Sequence, residues 1–344
     1  MKVLIKSLKL SAVIIGSIIG AGFLSGKEVA VFFSGQDPLI TCGLIFLAFF
    51  FIIFFFLRFF AILDENVFIV FKAVLLCGNF IISAGMLSAI DGIFYLQFPV
   101  FSGIPVFSII SLLLANLVAI NGKRGLEKAN CFLIPVIVFV LIITVAIAPN
   151  KTLISSGKVV PNKFISYCGL NLTLILPLLS RLGANEDKKV LVLSSLISAL
   201  SVALGLLGIF SLISGLDARL LSSDLPILKS LEGNRALHFV YLCILIFGIL
   251  TSTFGAYYPL FNFFSNGFWG SVGKIVLCVS LFTFSRLTFS EVVSKIYPVF
   301  GVCGFIAIII LIFSRFVFPK RKRKSTLSPP KSKALPSPSS QGLT

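Results

Sequence analysis

Apolar runs of about twenty residues recur along this chain from residue 8 to residue 316, each the length of a helix that crosses a bilayer. A chain built this way folds in lipid, where each backbone polar group must find its partner inside the segment. The runs are continuously apolar rather than alternating, which points to helices and away from a β-barrel. Charge content agrees: 12% of the 344 residues are charged, about half the roughly 25% of an average soluble domain. The expected fold class is an all-α polytopic membrane protein.

Hydropathy places about ten spans. The first two cover roughly 8–34 and 39–61, joined by the turn Gly35-Gln36-Asp37-Pro38. The third, about 67–95, holds Asn79, Ser83, Gly85 and Asp91. The fourth lies near 103–120, the fifth at 128–148, and the sixth runs from about 164 to Leu182. The seventh covers about 189–214. A longer loop, 215–235, carries both signs of charge before spans at 236–263, 270–285 and 290–316. Residues 1–318 form the membrane domain, and 319–344 read as a basic, Pro/Ser-rich tail whose composition precludes a packed core.

The net charge of +17 would suit a nucleic-acid binder, but no soluble basic domain exists to carry it. Lysine and arginine collect at the cytoplasmic ends of membrane helices. Clusters at Lys2/Lys6/Lys9, Lys123/Arg124/Lys128, Arg181/Lys188/Lys189 and Lys320–Lys324 are separated by even numbers of spans. All can lie on one side, so both termini are expected in the cytoplasm and the chain in the inner (plasma) membrane. Only the loop 150–163, with Lys151, Lys158 and Lys163, opposes this. The first apolar run continues to Phe33, too long for a cleaved signal peptide. The seven cysteines lack metal spacing, and the single histidine, His238, stands at the start of a span. The expected partners are a small-molecule solute and the lipid bilayer, without nucleic acid; the sequence carries no signal for oligomeric state.

Residues 16–28, GSIIGAGFLSGKE, interrupt the first span with four glycines, a lysine and a glutamate. Gly16 and Gly20 form a GxxxG packing pair. Gly20-Ala21-Gly22 lowers helix propensity near the middle of the bilayer. A break there would free N–H groups able to hold an anion and carbonyls able to hold a cation. Tight packing and an unwound binding segment both fit these glycines. Lys27 and Glu28 sit about 10 Å beyond the break at 1.5 Å per residue. They are either an interfacial ion pair or charges facing a water-filled interior.

The pattern GxxIGAGFxSGxE followed by apolar residues and Phe32-Phe33 resembles the first helix of the YkvI-like family of bacterial membrane proteins. These are distant members of the amino acid–polyamine–organocation superfamily, which has the leucine-transporter fold. Weaker similarity continues at Tyr167-Cys168-Gly169-Leu170-Asn171, at Thr251-Ser252-Thr253 and at Tyr297-Pro298-Val299-Phe300-Gly301. The resemblance implies a five-plus-five inverted repeat, about 8–148 and 164–316, with spans one and six discontinuous. Span six, with Gly169, Asn171 and Pro177, is either broken or only kinked. The resemblance implies that a substrate carboxylate meets the amides of Gly20, Ala21 and Gly22, with Phe23 adjoining. It places the other end of the substrate at Cys168, Gly169 and Asn171, with Asn79 and Ser83 on span three. It implies a coupling cation held by hydroxyls of Thr251, Ser252 or Thr253. Lys27 stands where the family's usual residue is glutamine, so Lys27 and Glu28 point to proton coupling or to none. No cofactor is expected beyond Na+ or H+ as coupling ion.

The function implied is secondary active transport of a small solute, an amino acid or related amine, by alternating access. The alternative is an amino-acid-sensing receptor subunit of the germinant-receptor type, which binds without carrying. An enzyme is not expected: HExxH, GxSxG and paired intramembrane aspartates are missing, as is the phosphate-binding GxxxxGK[ST].

Overall fold

Lipid leaves a backbone no partner but itself, and every described element is helical. The computed structural model describes residues 1–59, 65–97, 100, 105–148, 157–183, 186–264, 267–286 and 289–317. The basic tail and residues 150–156 of the loop 150–163 lie outside these residues.

The first span is three pieces: α1 (Lys2–Ile18), α2 (Ala21–Leu24) and α3 (Lys27–Phe33). There follow α4 (Pro38–Phe59), α5 (Glu65–Gln97), α6 (Val106–Ile120) and α7 (Gly122–Ile147). The second half holds α8 (Pro161–Leu182) and α9 (Lys188–Ile213), then two short loop helices, α10 (Ala218–Ser222) and α11 (Pro226–Ser230). It ends with α12 (Arg235–Phe261), α13 (Phe268–Phe284), α14 (Phe289–Glu291), a π-turn over Val292–Ile296, and α15 (Tyr297–Val317). Among the described residues, six helices are long and apolar enough to cross a membrane, and α6 and α13 are shorter apolar helices.

Side chains divide as a bilayer requires. Leu117, Phe132, Phe139 and Ile275 point out of the bundle and are exposed, a surface that water would not tolerate on this scale. Inside, α1 packs against α7, α9 and α12, α4 along α9, α5 along α12, and α8 along α15. Small residues allow the closest approaches. On α12 the face Gly248–Ser252–Gly255, at i, i+4 and i+7, receives the first span. A Cβ on Gly248 would lie 2.3 Å from Leu24 Cδ1, and one on Gly255 would lie 2.2 Å from Ser17 Oγ.

The sixth span corrects an expectation. Helix α8 runs unbroken from Pro161 to Leu182, with Pro177 inside it. Its Gly169 is there for packing: a Cβ would lie 1.9 Å from the Gly301 carbonyl oxygen and 2.7 Å from the Phe305 amide nitrogen. Pro177 removes one amide near the helix end, a loss that membrane helices accommodate. The tenth span also differs from a plain helix. Its N-terminal end contains the π-turn, a local widening that often accompanies functional sites, and this turn packs on α3.

Candidate functional site

The first span breaks twice, and the two breaks are satisfied differently. Helix α1 ends at Ile18; Ile19 leaves helical geometry (φ −80°, ψ 85°) and Gly20 is extended (φ −109°, ψ −166°). The Gly20 amide donates to the Ile18 carbonyl at 3.0 Å, and the ladder resumes when Leu24 donates to Gly20 at 2.9 Å. Between them the amides of Ala21, Gly22 and Phe23 have no acceptor among the described residues. At the second break, Gly26 adopts φ 78°, a left-handed conformation that glycine takes without penalty. Here the loose carbonyls are taken: Tyr241 donates its hydroxyl to Leu24, and the Ile227 amide donates to Ser25 at 3.1 Å. Buried backbone groups are nearly always paired; the three amides of the first break are not, and among the described residues the amides of Glu28 and Val29 just after the second break likewise have no acceptor.

Polar side chains converge on that break. Glu28 is buried, and its Oε1 accepts from Asn171 Nδ2 at 3.1 Å. Its Oε2 lies over Gly22, 2.7 Å from where a Cβ would sit. Asn171 also donates to the Tyr167 carbonyl at 3.2 Å. The hydroxyls of Tyr167 and Tyr297 are buried without a partner. On α5, Asn79 donates to the Leu75 carbonyl at 2.8 Å, which leaves its Oδ1 and the Ser83 hydroxyl unpaired. Asn79, Ser83 and Met86 share one face at i, i+4 and i+7. Met86 Cε lies 3.5 Å from the Cβ position of Gly20, which turns this face toward the break.

The predicted residues therefore separate. Gly20, Ala21, Gly22, Glu28 and Asn171 come together, with the face bearing Asn79 and Ser83 beside them. Phe23 contributes its amide only, since its ring packs against Gly205 of α9. Cys168 is buried without a hydrogen bond, and Gly169 faces α15. Sequence reasoning passed over Tyr167, Tyr297 and Met86 as site residues. The two tyrosines head segments that carried weak family similarity, and that was the available signal.

Of the three consecutive hydroxyls Thr251, Ser252 and Thr253 on α12, one bonds to the first span. Ser252 Oγ donates to the Gly16 carbonyl at 3.2 Å, whereas Thr251 and Thr253 bond back to Gly248 and Ile249 at 3.0 and 2.7 Å. A third polar atom reaches the same point: Asn130 Oδ1 of α7, buried and unpaired, lies 1.9 Å from the Cβ position of Gly16. Asn130 was missed, although it is the single amide side chain between residues 122 and 147. A monovalent cation needs oxygen ligands, and this junction supplies a hydroxyl, a carbonyl and an amide oxygen.

Lys27 and Glu28 diverge, and no ion pair joins them among the described residues. Lys27 Nζ donates to the Ser222 carbonyl at 2.7 Å, at the end of α10. This bond ties the loop that holds α10 to the first span. Lys27→Met is expected to speed hydrogen exchange across residues 218–230, since a charged donor contributes about 1.5–3 kcal/mol. Solute affinity should stay within about threefold of wild type; a large affinity loss with unchanged exchange would place Lys27 in the site instead.

No protein-family model matches the chain. It is 26% identical over 328 residues to the uncharacterized membrane protein YkvI of Bacillus subtilis (strain 168), covering 85% of this chain and 91% of that protein. It is 25% identical over 336 residues to YyaD of the same organism, covering 89% and 96%. Among solved structures it is similar to MhsT in complex with L-phenylalanine, with TM-score 0.58, 13% identity, and 89% and 98% of the two chains covered. It is similar also to a manganese transporter of Eremococcus coleocola, with TM-score 0.56, 14% identity, and 91% and 78% covered. These structural relatives are transporters, not enzymes. Along most of its length the chain is similar in sequence to the membrane protein YkvI and to YyaD, and it has the leucine-transporter fold.

Proposed function

We propose that this protein is a secondary active transporter whose solute, an amino acid or related amine, binds at the first break of span one. The three unpaired amides at Ala21, Gly22 and Phe23 carry this reading. Unpaired amides at a buried, glycine-flanked helix break are a site for a carboxylate. Similarity to MhsT, solved with L-phenylalanine, supports an amino acid as the cargo. The chain crosses the plasma membrane ten times with both termini in the cytoplasm, and its halves form an inverted five-plus-five repeat. The pairing of α4 with α9 and of α5 with α12 fits such a repeat, since each joins corresponding spans of the two halves. Alternating access then follows from one bundle rocking against the rest around a fixed site.

The coupling ion is placed at the junction of Gly16, Ser252 and Asn130. Sodium bound there would hold α1 to α12 and so link the break to the scaffold. Ser252→Ala is expected to reduce sodium stimulation of uptake at least about tenfold, by removal of one ligand oxygen. Sodium-stimulated uptake unaffected by Ser252→Ala would move the ion elsewhere.

The test of function is uptake. Purified protein is screened by thermal shift against amino acids, with and without sodium and at two pH values, because a ligand of the folded state raises the melting temperature. Ligands found this way are then offered to proteoliposomes. Saturable accumulation supports transport; binding without flux would establish the receptor alternative.

A further inference from the structure

One end of the bundle gathers basic residues. Lys6 and Lys123 meet Glu186 there at 3.2 and 3.5 Å, which brings together α1, the α6–α7 turn and the approach to α9. Lys123 also lies 3.8 Å from Glu127. Arg124 and Lys128 of α7 are exposed, and neither makes an ion pair among the described residues. They stand at i and i+4, where like charges repel. They also occupy the first two turns of α7, whose N-terminal end is itself positive. An anion bound between them would offset both penalties.

Arg124 and Lys128 line a groove of about 580 Å³ between α6, α7 and α12. Most of the remaining wall is apolar: Leu114, Leu117 and Val118 of α6, and Phe254 of α12. Leu114 and Leu117 are exposed and continue into Ile110, also exposed, at i, i+4 and i+7 along one face. This stripe is about 10 Å long at 1.5 Å per residue. The α6–α7 turn fixes the basic pair relative to the apolar wall. A Cβ on Gly125 would lie 2.4 Å from the Val118 carbonyl oxygen, so the two helices meet there without slack.

A free anion would meet the two charges and leave the apolar walls unused. A zwitterionic headgroup would bring an ammonium group among the cations. A phospholipid of net negative charge satisfies both halves, with its phosphate at Arg124 and Lys128 and an acyl chain along Leu117, Leu114 and Ile110. Arginine can hold two phosphate oxygens at once, and lysine adds a point charge. Basic pockets between spanning helices suit such headgroups. We infer that the groove between α6, α7 and α12 is a binding site for one anionic phospholipid. It depends neither on the solute nor on the coupling ion proposed above.

The test uses purified full-length protein, stripped of lipid in a neutral detergent. It is titrated with phosphatidylglycerol or with phosphatidylcholine of the same acyl chains. Phosphatidylglycerol should raise the melting temperature saturably and appear in native mass spectra as one retained lipid. Phosphatidylcholine should bind at least about tenfold more weakly, and potassium phosphate should give no shift. Arg124→Gln combined with Lys128→Gln should weaken phosphatidylglycerol binding about thirtyfold. Lys188→Gln combined with Lys189→Gln removes the same charge at the start of α9 and should stay within about threefold of wild type. Should the first double variant fail to fold, Arg124→Gln alone provides the reading, with a loss of about fivefold. Equal binding of the two lipids, equal losses in the two double variants, or a shift with potassium phosphate alone would each overturn the inference. So would a dimer in lipid-free spectra that the Arg124/Lys128 variant abolishes, because the groove would then hold a second copy of the chain.

Discussion

Gly22→Ala is expected to lower solute affinity by about a hundredfold, with membrane insertion and the melting temperature of the unliganded protein close to wild type. The added methyl carbon would lie 2.7 Å from Glu28 Oε2 and 3.3 Å from Glu28 Cβ. The first contact can be relieved, because the carboxylate is the far end of a flexible side chain. Relief requires the carboxylate to swing away from the gap and loosens its bond to Asn171. With the solute held at the break as proposed, the methyl crowds the Ala21–Phe23 amides and the displaced carboxylate disorders Asn171, two polar contacts at roughly 1–3 kcal/mol each. Gly20→Ala acts at a different contact. Its methyl would lie 2.5 Å from Ser252 Oγ and 3.1 Å from Ser252 Cβ, so it should impair sodium stimulation together with binding. A titration in which both variants bind normally would mean that no solute enters the break.

Span one was readable because its signal is local. Gly26, at φ 78°, occupies a backbone state that side chains resist, and Gly20-Ala21-Gly22 lowers helix propensity within three residues. Span six misled because the same residue type answers to another cause. Gly169 has ordinary helical geometry, and what it accommodates is the backbone of Gly301, 132 positions away. Proximity at that separation leaves no mark in a single sequence. Asn171 shows the intermediate case. It was legible as a polar residue in an apolar span, but its partner was not, since Glu28 was weighed with Lys27 beside it. On a helix, neighbours at i and i+1 diverge by about 100°. Lys27 accordingly reaches the loop between α9 and α12 while Glu28 turns toward α8. The three consecutive hydroxyls Thr251, Ser252 and Thr253 obey the same geometry: they cannot share one face, and the bond from Ser252 to Gly16 is what singles out Ser252.

Gly169→Ala separates a packing glycine from a binding one. Its methyl would lie 1.9 Å from the Gly301 oxygen, 2.7 Å from the Phe305 nitrogen and 2.8 Å from Phe305 Cβ. The first two are backbone atoms, so no rotamer change can make room and α8 must move away from α15. The contact is continuous along the pair. A Cβ on Gly301 would lie 2.0 Å from the Ser166 oxygen, and one on Gly304 would lie 2.2 Å from Thr173 Oγ1 and 2.8 Å from the Gly169 oxygen. Helices in lipid hold together through such close contact, because hydrocarbon offers no hydrophobic force between them. Overpacking of this kind costs roughly 1–3 kcal/mol or more, which corresponds to a fall in melting temperature on the order of 5–10 °C. Gly301→Ala should give a similar fall. The protein that remains folded should bind solute with near-normal affinity, because Gly169 faces α15 rather than the break. A Gly169→Ala protein that melts normally and binds poorly would instead put span six's glycine in the binding site, and would require α8 to open there during the transport cycle.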